Sequence, residues 1–515
     1  MKLKALSLDL EAGGKLIVVL NKDTAEDMSL HALDRVKLEY DDQEITAIMD
    51  IAEKTVSRDE VGLYRDVYSE LDIEEGSEIE VRDAKPPESV EYIKEKVSGR
   101  SLSHSKVRSI VRDVVDGNLS DVELTSFVTS LDLNGVSLEE AEFLSRSMAE
   151  GGDILEMDRH PIYDKHSIGG VCGDKTSMLL VPIVAYAGLT IPKTSSKAIT
   201  SPAGTANRMG VLTDVELDLD EIKETVNKTN GCIVWGGAVD LAPADDLFIQ
   251  VEYPIGIDPL LLPSIMAKKK SVNAGYVVID IPTGRGAKIK TIEEAQELAE
   301  DFIELGKRLG IEVKCASTYG EQPLGYAMGP ALEAKETLET LNNISKTPDL
   351  VEKVTSLAGI LLETSGEKDG KKKAMQILKN GNAEKKFREI INTQGGDPNI
   401  NAKDIQLGEK TVDIKSKDKG RVLWLSNPIM RDIARKAGAP KDEGAGVLLN
   451  KKMGDKVKEG EKLFTIYSES SSKMDSALEI VENDNPFLVS KELSRDMVLE
   501  RMPSGRRERH FFLER

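Results

Sequence analysis

Lys165-His166-Ser167-Ile168-Gly169-Gly170-Val171-Cys172-Gly173-Asp174-Lys175-Thr176-Ser177 runs into an apolar stretch and then into Thr194-Ser195-Ser196-Lys197-Ala198-Ile199-Thr200-Ser201-Pro202-Ala203-Gly204-Thr205. From Gly169 onward, apolar runs alternate with glycine-rich turns and helical stretches. That is the pattern of β-α units around a largely parallel sheet, whose edge loops hold ligands. Glycines bare backbone N–H groups, hydroxyls donate in any direction and lysines add positive charge, so both loops suit oxyanions such as phosphates. A P-loop needs Gly and Lys adjacent near its end; Asp174 intervenes and adds negative charge, which argues against an ATPase or kinase.

Around these loops lie 515 residues, enough for about three or four domains of roughly 100–200 residues each. A net charge of -21 argues against a nucleic-acid polymer as partner, which would require a basic face to displace counterions. An anionic substrate would have to be drawn in by local lysines. The three cysteines, Cys172, Cys232 and Cys315, are far apart and odd in number, so neither a disulfide framework nor a Cys-x-x-Cys site is expected. None of His31, His104, His160, His166 and His510 has paired ligand spacing, and no metal is expected. The N-terminus lacks a long apolar core and no run approaches about 18 apolar residues, so the expectation is a cytoplasmic protein with no membrane partner.

The expected fold class is α/β with additional domains. Residues 1–84 read as a small β-rich domain, with a strand over Leu16–Leu20 and a turn and strand over Ile73–Val81. Lys85-Pro86-Pro87 breaks that pattern. Val90, Ile93, Val97, Val107, Ile110, Val111 and Val114 then follow helical spacing, which predicts a helical domain over 85–165 that later segments can complete. Within it, Ser120 and Glu123 suit the cap of a helix beginning near Val122. A central mixed or parallel-sheet α/β domain is expected over 166–345, with Met178–Ala187 as a buried helix and Cys232–Trp235 and Tyr276–Ile281 as buried strands. Over 346–515 a C-terminal α+β domain with a barrel-like half is expected. There, residues 454–460 and Leu463–Ile466 read as strand, tight turn and strand. This segment resembles the half-barrel of biotinyl and lipoyl carriers but lacks their Met-Lys-Met lysine, so it reads as a structural module.

Further candidates lie downstream. Asp258-Pro259 precedes Leu260-Leu261-Leu262 and suits a helix N-cap, while Ser264 and Lys268 share one helix face. Lys288 follows the glycine turn Gly284-Arg285-Gly286, where a cation would suit a second phosphate; an ordinary surface lysine is the competing reading. His166 is equally a loop histidine or a substrate contact.

Lys165-His166-Ser167-x-Gly169-Gly170, the Ser196 to Thr205 loop and Ser264-Ile265-Met266-x-Lys268-Lys269 together resemble the thymidine and pyrimidine-nucleoside phosphorylase family, over essentially the whole chain. Ser196-Lys197-Ala198-Ile199-Thr200-Ser201, with Gly236 to Asp246 downstream, is similar to its archaeal branch acting on AMP. The resemblance implies phosphorolysis of a nucleoside 5′-monophosphate, AMP and phosphate giving adenine and ribose 1,5-bisphosphate, on a route that feeds RuBisCO. It implies Asp258 as proton donor and substrate contacts at Gly170, Ser196, Lys197, Ala198, Ile199, Thr200, Ser201, Thr205, Ser264 and Lys288, with Lys165, His166, Ser167 and Lys268 as additional contacts. No cofactor is expected beyond phosphate as co-substrate; CMP and UMP are further substrates to weigh, and a homodimer or larger homo-oligomer is expected. Lys197 stands where the resemblance leads one to expect arginine, keeping charge but losing the bidentate fork. No arginine occurs from Val251 to Ser264, where pyrimidine phosphorylases carry a base-contacting one. A pyrimidine-nucleoside phosphorylase and a non-catalytic nucleotide-binding assembly protein are the alternatives.

The chemistry sets two further expectations. A proton donor at Asp258 calls for an apolar or anion-rich surrounding that raises its pKa. Excluding water calls for the helical domain to close on the α/β domain, with hinges near Gly151-Gly152 and the ends of the central strands.

Overall fold

The computed structural model describes residues 1–198 and 201–490. The first six strands, β1 (Lys2–Ser7), β2 (Ile17–Asn21), β3 (Arg35–Tyr40), β4 (Gln43–Ala52), β5 (Glu60–Leu63) and β6 (Glu78–Asp83), form a closed barrel in the order β1-β5-β2-β4-β3-β6. Val18, Leu20, Val36, Leu38, Met49 and Val61 fill its interior, and closure leaves no exposed strand edge. Its strand β3 also reaches outward: the buried Arg35 donates from Nε to the Asn118 carbonyl at 3.0 Å and pairs through Nη2 with Glu123. Glu123 in turn closes a capping box with Ser120 at the start of the Asp121–Asn134 helix, so one carboxylate serves both the helix end and the barrel.

The helices Ser89–Val97, His104–Val115, Asp121–Asn134 and Leu138–Glu150 form a layer that is completed by Pro243–Ile255 and Leu261–Ser271. Phe248, Leu260 and Ala267 of the later segment share one core with Phe127, Leu131 and Met148.

The central sheet has β7 (Ile162–Ser167), β8 (Ile191–Ser195), β9 (Gly231–Trp235), β10 (Ala274–Thr283) and β11 (Glu312–Tyr319). Strands β11, β10 and β7 pair in parallel, as do β8 and β9, and a parallel bridge from Ile162 to Thr190 joins the two groups. The Thr176–Tyr186 helix is apolar on every side and wholly buried except at its end. It is enclosed by Pro348–Thr364, Gly370–Lys379 and Asn382–Thr393, whose Leu357, Ile377 and Phe387 join its core. The expected boundary at 345/346 therefore falls inside a continuous apolar core, which extends to Ile405.

The C-terminal unit has two antiparallel sheets. Ala327–Met328, Gly446–Leu449, Lys462–Ser468 and Lys410–Lys415 form one; Lys456–Val457, Gly420–Leu425 and Phe487–Ser490 form the other. The expected local hairpin around Gly460 is thus corrected: its two strands lie in different sheets, because Val457 pairs with Gly420 while Lys462 pairs with Lys415. No described helix is long and apolar enough to cross a membrane.

Removing one partner of a largely buried ion pair costs about 3–5 kcal/mol, because the other charge is left uncompensated. Arg35→Met is therefore expected to lower the melting temperature and to speed proteolytic cleavage in the Lys85-Pro86-Pro87 connection; an unchanged digestion pattern would show that the barrel is held by other contacts.

Candidate active site

The loops that follow β7, β8, β9 and β10 all leave the same, C-terminal edge of the parallel sheet. Gly169 and Gly170 have φ of +85° and +92°, a left-handed geometry that favours glycine, and the Gly169 N–H donates to Ser167 Oγ at 3.4 Å. A Cβ on Gly170 would lie 2.6 Å from the Lys288 backbone nitrogen, so the β7 and β10 loops touch backbone to backbone. The β8 loop folds on itself: Asn207 Oδ1 accepts from the Ala198 and Gly204 N–H groups at 2.6 and 3.0 Å, and a Cβ on Gly204 would lie 2.4 Å from the Ser196 carbonyl. Ser196, Lys197, Ala198, Ser201 and Thr205 are thereby gathered in one loop; Ile199 and Thr200 lie outside the described residues. Lys197 stacks 3.8 Å over the Trp235 ring and pairs with Glu216. Asn207 escaped the sequence reading, although its place three residues after Gly204 is a capping position.

Beneath these loops lies a buried charge cluster. Asp164 holds Lys269 at 2.5 Å and Lys193 at 3.5 Å, while Asp280 holds Lys353 at 2.7 Å and Lys165 at 3.6 Å. Asp174 faces the same two lysines, Lys353 at 3.5 Å and Lys165 at 3.9 Å. Burial pushes Asp174 up, but Lys165 and Lys353 outweigh it and hold the carboxyl well below its ordinary value. The residue that spoils a P-loop is thus a partner of the site's lysines. Burial lowers Lys193 to about 7 against the opposing pull of Asp164, with Lys269 and Lys165 adding repulsion. Burial, then Lys269, Lys193, Lys268 and Lys165, push His166 well below its ordinary value. At neutral pH its imidazole is uncharged, a hydrogen-bonding group beside the glycine loop. Around Asp280 and Asp174 two lysines face two carboxylates, whereas around Asp164 two lysines face one, a local excess of cations in a chain of net charge -21 that is complete only while Lys193 is protonated. Asp164, Lys193, Asp280 and Lys353 were missed from sequence, and Lys269 entered only as the last residue of the Ser264 motif; Lys353 sits far downstream and only the fold brings it here.

The Leu261–Ser271 helix, which sends Lys269 into this cluster, also carries a half-buried Ser264 and, one turn on, Lys268, paired with the buried Asp245 at 2.6 Å. Asp258 precedes this helix without capping it, since Leu260 occupies the N-cap position. Lys288 Nζ donates to Asp258 Oδ2 at 2.7 Å, joining the β10 loop to the helical layer. The apolar or anion-rich surrounding expected for Asp258 is therefore not present: its side chain is 43% exposed and a cation faces it. A neighbouring carboxyl that is raised is Glu252, pushed up to about 7 by burial and then by the Asp258 charge, with Oε1 accepting from the Leu260 N–H at 3.1 Å. At the expected hinge Gly152 packs closely on a neighbouring turn: a Cβ there would lie 2.2 Å from the Asp240 carbonyl, and Asp153 N–H donates to that same oxygen at 3.1 Å.

A cavity of about 530 Å³ adjoins the β8 loop, lined by Lys197, Asn207, Asp214, Glu216 and Lys441 among others. A second, of about 500 Å³, lies at the opposite end of β10 and β11, lined by His160, Lys270 and Asn273. Among the described residues no His, Cys, Asp and Glu group could hold a metal ion.

Glu252 makes stability depend on pH with a definite sign. Its folded pKa near 7 exceeds the unfolded value of 4.5, so between these values the folded chain binds more protons and stability falls as pH rises. Glu252→Gln, which keeps the acceptor for Leu260, is expected to flatten that slope between pH 4.5 and 7 and to raise the melting temperature at pH 8. Parallel melting curves for the two proteins across this window would refute the assignment.

Family models match in three places: "Glycosyl transferase family, helical bundle domain" over residues 90–152, "Glycosyl transferase family, a/b domain" over 159–384, and "Pyrimidine nucleoside phosphorylase C-terminal domain" over 430–487. The chain is 47% identical to the AMP phosphorylase of Thermofilum pendens, covering 98% of both chains. It is 48% identical to that of Thermococcus kodakarensis, over 98% of this chain and 99% of the relative. With the AMP phosphorylase of Pyrococcus furiosus the identity is 49%, over 95% of this chain and 98% of the relative.

Proposed function

The chain belongs to the AMP phosphorylase family, and from that membership we propose that it splits AMP with inorganic phosphate into adenine and ribose 1,5-bisphosphate, a product on a route to RuBisCO. The observation that carries this reading is the sheet edge itself, where the Gly169-Gly170 turn lies over buried lysines and the Lys288–Asp258 pair joins the β10 loop to the helical side.

In the reaction the bond from the ribose anomeric carbon to the adenine nitrogen breaks while a phosphate oxygen forms the new bond to that carbon. Positive charge grows on the ribose and negative charge on the leaving base, so the site supplies an anionic nucleophile and a proton. Phosphate sits against Gly170, Ser167 and the Ser196 to Thr205 loop, with Lys165 and its neighbours beneath and neutral His166 offering a hydrogen bond. Lys165 is only 2% exposed and shared between Asp280 and Asp174, so it acts through its field. Ser264 and Lys268 face the nucleoside from the helical layer, and Lys288 takes the 5′-phosphate. Its move to that phosphate would release Asp258 from its cation and leave the carboxyl free to face the departing base once a nucleotide is bound. This also supports nucleotides over nucleosides as substrates; CMP and UMP share the 5′-phosphate and belong to the proposal.

A homodimer or larger homo-oligomer is likewise proposed. Val122 and Leu133, eleven residues apart and so on one face of their helix, are 72% and 77% exposed and fit a contact between copies.

Incubation with AMP and phosphate, followed by mass analysis, is expected to yield adenine and a ribose bisphosphate; unchanged AMP despite tight binding would favour a non-catalytic nucleotide-binding protein. Asp258→Asn should keep AMP affinity and slow base release by about 10²–10⁴-fold, and unchanged turnover would remove Asp258 from the acid role.

A further inference from the structure

Asn427 is the first residue of the Asn427–Lys436 helix in the C-terminal unit, 1% exposed, and its amide is directed out of its own domain. Oδ1 accepts from the Cys172 N–H at 3.5 Å and Nδ2 donates to the Gly320 carbonyl at 3.0 Å. The Asn427 carbonyl accepts from Cys172 Sγ at 3.5 Å. A third segment passes over the same group: a Cβ on Gly286 would lie 2.9 Å from Nδ2 and 3.0 Å from the Asn427 Cβ, so only glycine lets the β10 loop cross there. Gly320 packs as tightly on that loop, its N–H donating to the Thr283 carbonyl at 2.8 Å and a Cβ there meeting Ala287 Cβ at 2.9 Å. Loops leaving β7, β10 and β11 therefore converge on one side chain contributed by another domain.

Within two residues of this junction lie Gly170 on one loop and Lys288 on the other, in backbone contact with each other. We propose that Asn427 is a positioning residue: its amide sets the relative register of the β7 and β10 loops, so that Gly170 and Lys288 face bound anions together, and this makes the C-terminal unit part of the substrate site. The geometry explains why an amide stands here. It supplies one acceptor and one donor in a single plane, whereas aspartate cannot donate and leucine does neither. Without it, a buried N–H and a buried carbonyl lose their partners, and the loops relax to find others. A displacement of about 1 Å is enough to carry a hydrogen bond to a bound anion out of its working range of about 2.7–3.2 Å, and so to weaken binding.

The identity of the substrates in this inference rests on the phosphorolysis reading; the junction does not. The test compares Asn427→Leu and Gly286→Ala, which disturb the junction from its two sides, with Ser426→Ala, which removes the cap on Ile429 N–H in the same helix without touching the loops. Asn427→Leu and Gly286→Ala are expected to raise the KM for AMP and for phosphate at least fivefold with kcat within threefold, while Ser426→Ala lowers the melting temperature and leaves both KM values within twofold. Unchanged KM values in Asn427→Leu and Gly286→Ala, or an equal rise in Ser426→Ala, would overturn the assignment; if Asn427→Leu does not fold, Gly286→Ala decides it alone. Should the wild-type protein leave AMP intact, the function reading falls, and calorimetric titration of inorganic phosphate into the same variants decides for Asn427, a fivefold weaker binding supporting it. Failure of the wild type to bind phosphate at all would overturn both.

Discussion

Asp164 on β7 and Asp280 on β10 have no exposure to solvent, and the lysines drawn to them determine how the rest of the molecule is arranged. The strands pair side by side with Asp164 opposite Val277 and Asp280 opposite Ser167, so the two carboxylates are offset by three residues and serve opposite faces of the sheet, both below the loop-bearing edge. Asp280 takes Lys165 from β7 and Lys353 from the Pro348–Thr364 helix, and its other oxygen accepts from Thr318 Oγ1 at 2.6 Å. Asp164 takes Lys193 from β8 and Lys269 from the Leu261–Ser271 helix. Buried ion pairs add little net stability because desolvation offsets attraction, but breaking one leaves a stranded charge. Such pairs therefore specify arrangement: two helices from distant parts of the chain are locked to the strands whose loops form the site.

The same cluster reconciles an acidic chain with anionic substrates. A net charge of -21 repels phosphate at long range, yet screening limits that repulsion to about 8 Å at physiological salt. Within that distance the local excess of lysines acts in a low-dielectric setting. Burial, with repulsion among these cations added to it, lowers Lys193 to about 7 and leaves His166 neutral. Two further parts of the chain add to this edge. The helical layer contributes Asp258, Ser264 and Lys268, and the C-terminal unit contributes Asn427 beneath the loops.

Much of this was legible in the residues. The strand over Ile17–Asn21, the helix capped by Ser120, the wholly apolar Thr176–Tyr186 helix and the strands at Gly231–Trp235 and Ala274–Thr283 follow from periodicity and capping, which act over a few residues. The two phosphate-suited loops were visible for the same reason. Less visible was where elements go once formed. Lys456–Val457 and Lys462–Ser468 look like a hairpin, yet they join different sheets, and the Pro348–Thr364 helix looks like the start of a new domain but packs into the α/β core. Partner choice depends on surfaces contributed from afar, which no local pattern records.

The sequence by itself determined which residue types could do the chemistry and where the backbone could bend: glycines at positive φ, hydroxyls in two loops, Asp258 and Lys288 near turns. Tertiary structure alone decided their electrostatic condition. It paired Asp258 with Lys288, raised Glu252 instead, set Lys353 beside Asp174, and brought Asn427 under Gly286 and Gly320. A side chain's chemical identity is carried by its own atoms, whereas its charge state and orientation are set by neighbours within a few ångströms, and those neighbours come from anywhere in the chain.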